Sequence, residues 1–157
     1  MSTRRATDDT LVASLAGQLF DVMSMFPKRL VKTDELIHTF GMPFSQMQIL
    51  ELLEKSDMSI GQLSAYTGVA KPNVTPLVDA LEERGFVARE RKDGDRRMVY
   101  VHLTEEGTAS LLRIREAVAA QIRKWPVRLS RSELRSLDNS LATLIRVMNA
   151  FGNPQET

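Results

Sequence analysis

The sequence contains no cysteine. Disulfides, thiolate metal ligands and thiol-based redox sensing are thereby excluded. An excess of charge of either sign is also missing. The 21 lysines and arginines face 20 aspartates and glutamates, a formal net charge of +1. Bulk electrostatics therefore announce no particular partner, and any nucleic-acid case rests on where the charges sit. No apolar stretch approaches the roughly 18 uncharged residues of a membrane span. The polar start, Met1 to Asp9, lacks the layout of a signal peptide, so a cytoplasmic protein is expected. Histidines number only two, and neither His38 nor His102 has ligand-type neighbours at useful spacing. Glycine-rich phosphate loops and nucleophile-elbow motifs are absent as well. The expectation is a protein with no metal, no cofactor and no catalytic role.

What is present is helical periodicity in a chain of 157 residues, enough for one domain with arms. From Thr10 to Phe40 the pattern reads as helix, with Leu11, Leu15, Leu19, Val22 and Phe26 on one face. Val12, Phe20 and Met23 add a second apolar face, which a single core cannot cover. Pro27 is expected to kink or break this helix. Gly41 and Pro43 then close the segment.

Three sites match the capping box, in which a serine and a glutamine or glutamate satisfy each other's backbone N–H groups. They are Ser45 to Gln48, Ser59 to Gln62 and Ser130 to Glu133. The first opens an apolar helix to about Glu54, the second a short helix to about Tyr66, the third a long C-terminal helix. Between them, Lys71 to Arg84 is helical, with Val74, Leu77, Val78 and Leu81 on one side and Gly85 as its stop. Phe86 to Arg89 and Met98 to Leu103 read as two strands around an Asp93-Gly94 hairpin turn. Thr104 caps a helix carrying Leu111, Ile114, Val118, Ile122 and Trp125, which Pro126 ends. Leu134, Leu137, Leu141, Leu144, Ile145 and Met148 then form an apolar seam of the kind that packs helices together.

The order helix, short helix, tight turn, helix, hairpin is that of a winged helix-turn-helix. The fold expected is mostly α with a small β-hairpin wing, flanked by terminal dimerisation helices. Its parts would be an N-terminal arm over 1–40, a DNA-binding domain over 41–104 and C-terminal dimerisation helices over 105–157, all in one compact chain. An α-helix fits the major groove of duplex DNA, and its N-terminal residues meet bases and phosphates. Lys71, Asn73 and Thr75 stand at that end: a cation, a side chain suited to adenine, and a hydroxyl. The stretch from Arg84 to Arg97 holds six cations and three acids, a local charge of +3. A charged turn alone is usually just solvated. Directly after a helix-turn-helix it lies beside the groove, and an arginine at its tip is shaped to enter a narrow minor groove.

The run from Leu77 to Val87, then Arg89 and Arg91, Asp93-Gly94-Asp95-Arg96-Arg97, and Val101-His102-Leu103-Thr104-Glu105-Glu106-Gly107 resembles the core of the MarR (multiple antibiotic resistance regulator) family. The resemblance extends over about Leu11 to Phe151. It implies a homodimer on a pseudo-palindromic operator, usually a repressor, often released by a small molecule. It makes Arg96 the minor-groove arginine and gives Asp95 and Arg97 a part in shaping the wing. The DNA-binding set is then Lys71, Asn73, Thr75, Arg91, Lys92, Arg96 and Arg97, with Asp93, Gly94 and Asp95 as wing formers. Dimerisation falls to Leu11, Leu15, Leu19, Leu137, Leu141, Leu144 and Met148. Pro76 stands where many relatives carry a polar or basic residue, so readout leans on Asn73 and Thr75; Pro72, nearer the helix start, is tolerable there.

Two alternatives stay open. Phe20, Met23, Phe26, Met47, Tyr66 and Trp125 could line a pocket for a lipophilic or aromatic effector, aromatic acids included. Such stripes more often bury as core or dimer interface. The domain could also be a winged-helix module that binds protein rather than DNA, which near-neutral charge allows.

Overall fold

A computed structural model describes residues 2–25, 31–91 and 98–150, with side chains from residue 9 onward. Helix α1 spans Ser2–Met25, α2 Thr33–Phe40 and α3 Phe44–Leu53. A two-residue strand β1, Met58–Ser59, leads into α4, Ile60–Thr67, and α5, Lys71–Glu83. Strands β2, Val87–Arg91, and β3, Val99–Leu103, form the hairpin, followed by α6, Glu105–Arg123, and α7, Arg131–Ala150.

The sheet has three strands in the order β1-β3-β2, all antiparallel. The sequence predicts only the hairpin. β1 pairs Met58 with Val101 and Ser59 with Tyr100. Two residues are too few to show alternation, and its existence depends on β3 arriving alongside. Ser59 then serves twice, as strand end and as helix cap. Its backbone N–H donates to Gln62 Oε1 at 2.8 Å, and its hydroxyl accepts from the Gln62 N–H at 3.3 Å. The reciprocal pair also forms between Ser130 and Glu133, at 2.8 and 3.3 Å. The Ser130 hydroxyl also donates to Glu133 Oε2 at 2.7 Å, and this bond together with that from the Ser130 N–H holds the Glu133 carboxyl below the usual carboxylate range.

The box expected at Ser45 does not form. α3 begins one residue earlier, with Pro43 as the residue before it and no side-chain cap. The Pro43 carbonyl takes the first helical bonds, from Gln46 N at 3.0 Å and Met47 N at 3.4 Å. A proline's missing N–H costs nothing there, so Ser45 falls inside the helix. The helical pattern from Thr10 to Phe40, expected to kink or break at Pro27, is divided between α1 and α2. Pro27 lies outside the described residues, but Val31 and Lys32 have already left helical geometry. The Lys32 carbonyl accepts the first helical bond of α2, from Leu36 N at 3.3 Å, and the Gln121 amide brackets the Lys32 backbone. Its Oε1 accepts the Lys32 N–H at 2.8 Å, and its Nε2 donates to the Lys32 carbonyl at 3.3 Å.

The core lies where α3, α4, α5 and the sheet meet. Ile49, Leu50, Leu63, Val74, Val78, Leu81 and Val101 are completely buried, with Leu36 and Leu111 packed beside them. α5 ends in a Schellman turn: Phe86 N–H reaches Leu81 O at 2.9 Å and Gly85 N–H reaches Glu82 O at 2.8 Å. Gly85 sits at φ 72°, which favours glycine, and Phe86 is turned into the core. α1 and α7 are different. Every described side chain of both is solvent-exposed in the single chain.

The Thr104 to Gly107 motif has a steric basis. The Thr104 hydroxyl donates to Gly85 O at 2.6 Å and accepts the Gly107 N–H at 3.0 Å, so one side chain caps α6 and pins the end of α5. A Cβ on Gly107 would fall 2.0 Å from the Phe86 carbonyl oxygen. That oxygen already accepts the Thr104 N–H at 3.1 Å, so the backbone there is held. Gly107→Ala is expected to destabilise the fold by about 1–3 kcal/mol, as overpacking against backbone does. Urea unfolding checks this, and an unchanged midpoint would contradict the close approach.

Candidate nucleic-acid interface

α4 and α5 are joined by a turn through Gly68, at φ 70°. Side chains of α4 brace it: the Ser64 hydroxyl donates to Val69 O at 2.8 Å, and the Thr67 hydroxyl accepts the Val69 N–H at 3.3 Å. α5 is thereby set across α4 with Val74, Val78 and Leu81 inward. Lys71, Pro72, Asn73, Thr75 and Pro76 are exposed. The N-terminus of α5 has Ala70 before it and no side-chain cap; Pro72 has no N–H and the Asn73 N–H donates to Ala70 O at 2.8 Å, so what the first turn offers a phosphate or base is its exposed side chains. Lys71 Nζ lies 3.8 Å from where a side chain on Gly61 would begin, at the start of α4. The cation thus stands near the beginnings of both helices.

Helical spacing puts Pro72, Pro76, Asp79 and Glu83 on the line opposite the core, with Asn73 and Thr75 to either side. Pro76 is inside α5, so the Pro72 carbonyl lacks its usual i+4 donor. Both prolines are on the outer face, where that carbonyl can be solvated. The midline of the helix therefore offers apolar rings and acids, and its polar readers are Lys71, Asn73 and Thr75.

The local charge of +3 read from the sequence is not all available to a ligand. Arg84 donates to Phe40 O at 3.0 Å and Gly41 O at 3.2 Å, and its guanidinium stacks 4.7 Å from the Phe86 ring centre. Arg89 binds Asp79 at 2.5 Å and also pairs with Glu82, whose Oε1 accepts the Arg89 backbone N–H at 3.2 Å. Partial burial alone would lower the Arg89 pKa. The bond to Asp79 and the charges of Glu82 and Asp79 outweigh it and raise the pKa. Arg84 and Arg89 are thus structural, and Arg89 pairs with two acids of α5, offsetting one of their two charges. The pairing was illegible in sequence, because β2 comes back along α5 only in the fold. Arg91 is exposed at the end of β2. Lys92, Asp93, Gly94, Asp95, Arg96 and Arg97 lie outside the described residues.

A cleft of about 450 Å³ opens between α2, α3, the end of α4 and α6. Of the six residues proposed from sequence, Met47 and Tyr66 line it. Phe20 and Met23 are exposed on α1, Trp125 follows α6, and none of the three is in the lining; Phe26 is outside the described residues. Sequence reading missed Leu36, Leu111, Ile114 and Val118, which form apolar walls. Their helical periodicity was visible, but it does not separate core from cavity. Arg115, also in the lining, donates to both Glu51 and Glu54 at 2.5–3.0 Å, which ties α6 to α3 and raises its pKa, Glu54 contributing first.

An exposed helix start, a helix braced across a second helix and an adjoining hairpin define a winged helix-turn-helix protein. Residues 40–98 match the sequence profile described as MarR family. The chain is 32% identical over 88 residues to the transcriptional repressor MprA of Escherichia coli K12, covering 54% of this chain and 50% of that one. It is 31% identical over 99 residues to the HTH-type transcriptional regulator MhqR of Bacillus subtilis, covering 62% and 68%. A MarR family protein from Bacillus stearothermophilus superposes with a TM-score of 0.70 at 25% identity, covering 90% and 97%. The chain belongs to the MarR family. It spans about half the length of the first curated relatives it matches, 54% and 50%. Among the described residues no helix is long and apolar enough to cross a membrane, and no group of three His, Cys, Asp or Glu could hold a metal.

Replacing Arg89 by methionine is expected to cost about 1 kcal/mol, since the three groups are part-exposed and screened. The amide of Arg89, freed from Glu82, should exchange faster with deuterium. Equal exchange in β2 of both proteins would show that the ion pairs do not hold the wing to α5.

Proposed function

We propose that this protein binds specific double-stranded DNA as a homodimer and regulates transcription from the cytoplasm. It acts as a repressor on a pseudo-palindromic operator and is released by a small effector. It is a binding protein rather than an enzyme. The observation that carries the reading is the exposed, uncapped start of α5 with Lys71, Asn73 and Thr75 outward, braced beside a hairpin wing. The names of MprA and MhqR support it. In the mechanism, Asn73 and Thr75 read base edges, and Lys71, Arg91 and Lys92 meet phosphates. Arg96 enters the flanking minor groove, with Arg97 alongside and Asp93, Gly94 and Asp95 holding the turn.

Dimerisation rests on α1 and α7. Leu11, Leu15 and Leu19 on one, and Leu137, Leu141, Leu144 and Met148 on the other, are 37–65% exposed in the single chain. Fully burying one such side chain stabilises by about 1.5–3 kcal/mol, so a second copy offers a large gain. The Leu141→Asp variant should sediment as a monomer or unfold, because it puts a charge in the seam. A stable dimeric variant would remove Leu141 from the interface.

A second reading, a winged-helix module that binds protein, draws on Pro72 and Pro76 at the middle of the outward face. Fluorescence anisotropy separates the two, with duplex DNA from upstream of the protein's own gene against scrambled duplex at two salt concentrations. The regulator reading expects a preference for the upstream duplex, an affinity that falls steeply with salt, and weaker binding by Arg96→Ala at unchanged dimer mass. Indifference to sequence and salt would favour the protein-binding module.

A further inference from the structure

The cleft beside α6 carries a charge pattern that selects among effectors. Among the described residues its one lining cation is Arg115, engaged on both terminal nitrogens by Glu51 and Glu54. Two carboxylates around one guanidinium leave a net charge of −1. Glu51 itself lines the cleft, 44% exposed, so that negative charge faces the cavity. The remaining walls are mostly apolar and, with Thr33, Gln48 and Thr67 among them, otherwise uncharged; Met47 is adaptable in shape, and the aromatic rings of Phe44 and Tyr66, both also lining it, are exposed. An organic carboxylate entering here would have to displace a carboxylate from Arg115 or sit beside Glu51 against its charge. An organic cation meets the opposite situation. Glu51 neutralises it, and aromatic faces attract it through their quadrupole. The volume, about 450 Å³, suits a ligand with one or two rings.

We infer that the cleft binds a lipophilic organic cation, with Glu51 as its counter-ion and the Phe44 and Tyr66 rings as its apolar contacts, and that it discriminates against aromatic acids. The inference rests on the effector-released regulator proposed above. It also reverses one part of the sequence expectation, which included aromatic acids among the effectors.

Isothermal titration of the full chain without DNA tests it, using three probes of one shape: 1-naphthylmethyl-trimethylammonium, 1-naphthylmethanol and 1-naphthylacetate. The expected order of affinity is cation, alcohol, acid, with the cation about tenfold or more tighter than the acid, a difference one charge contact can supply. Glu51→Gln should remove the cation's advantage and leave the alcohol unchanged. Arg115→Gln, which frees both carboxylates, should widen the advantage, so the two variants move in opposite directions. An acid that binds as tightly as the cation, or heat from none of the probes, would overturn the inference. Loss of charge preference with DNA binding intact would sink the cleft assignment and leave the regulator reading. Cation binding that leaves DNA affinity unchanged would do the reverse, keeping the ligand and removing its role in release.

Discussion

The constraint on which the rest depends is an imbalance of apolar surface. Among the described residues the core lies within 31–118, around α3, α4, α5 and the sheet, and takes nothing from α1 or α7. Those helices carry leucines at helical spacing along their length, and all of them remain exposed in the single chain. Water does not leave such seams uncovered without cost. Their satisfaction by a second copy would fix the separation and angle of the two α5 helices. Geometry at the DNA would then be decided far from the DNA, by packing.

Within the lobe, the reading face is held by contacts that sequence distance conceals. Thr104 pins the end of α5 to the start of α6. Arg84 fastens the same end to the α2–α3 turn. Arg89 fastens β2 to the flank of α5. Each is a charged or hydroxyl side chain that a count of surface charge assigns to solvent or ligand. Their joint effect is that α5 and β2 form one unit, with the acids of α5 partly neutralised and the side chains of its first turn left exposed.

How much was legible follows from the range of each signal. The helix-turn-helix was readable because its determinants are local: the Ser59–Gln62 capping box, the stop at Gly68, the periodicity of Val74, Val78 and Leu81. The C-terminal helix was readable from Ser130–Glu133 for the same reason. Ser45 misled because the preceding Pro43 is itself a sufficient start, and sequence spacing does not rank two competing starts. β1 was missed because a two-residue strand is made by its partner. The ion pairs of Arg89 and Arg115 join residues seven to sixty-four apart, so no periodicity encodes them. In the cleft, Met47 and Tyr66 were legible as apolar residues, but which apolar residues face a void depends on the packing of α2 against α6.

The cleft lies between the helices of the lobe, next to α6, which leads on to the seam of α7. A ligand there could bias the relation between the reading face and the arms, and the charge around Arg115 sets which ligand. Two reading faces acting together on one duplex are the centre of this account. The most direct measurement is binding to a duplex selected from a random pool, compared with the same duplex carrying five extra base pairs between its half-sites. The account predicts two chains per selected duplex and an affinity lost in the longer one, because half a helical turn rotates the second half-site out of reach. Equal affinity for both duplexes, or one chain per site, would contradict it.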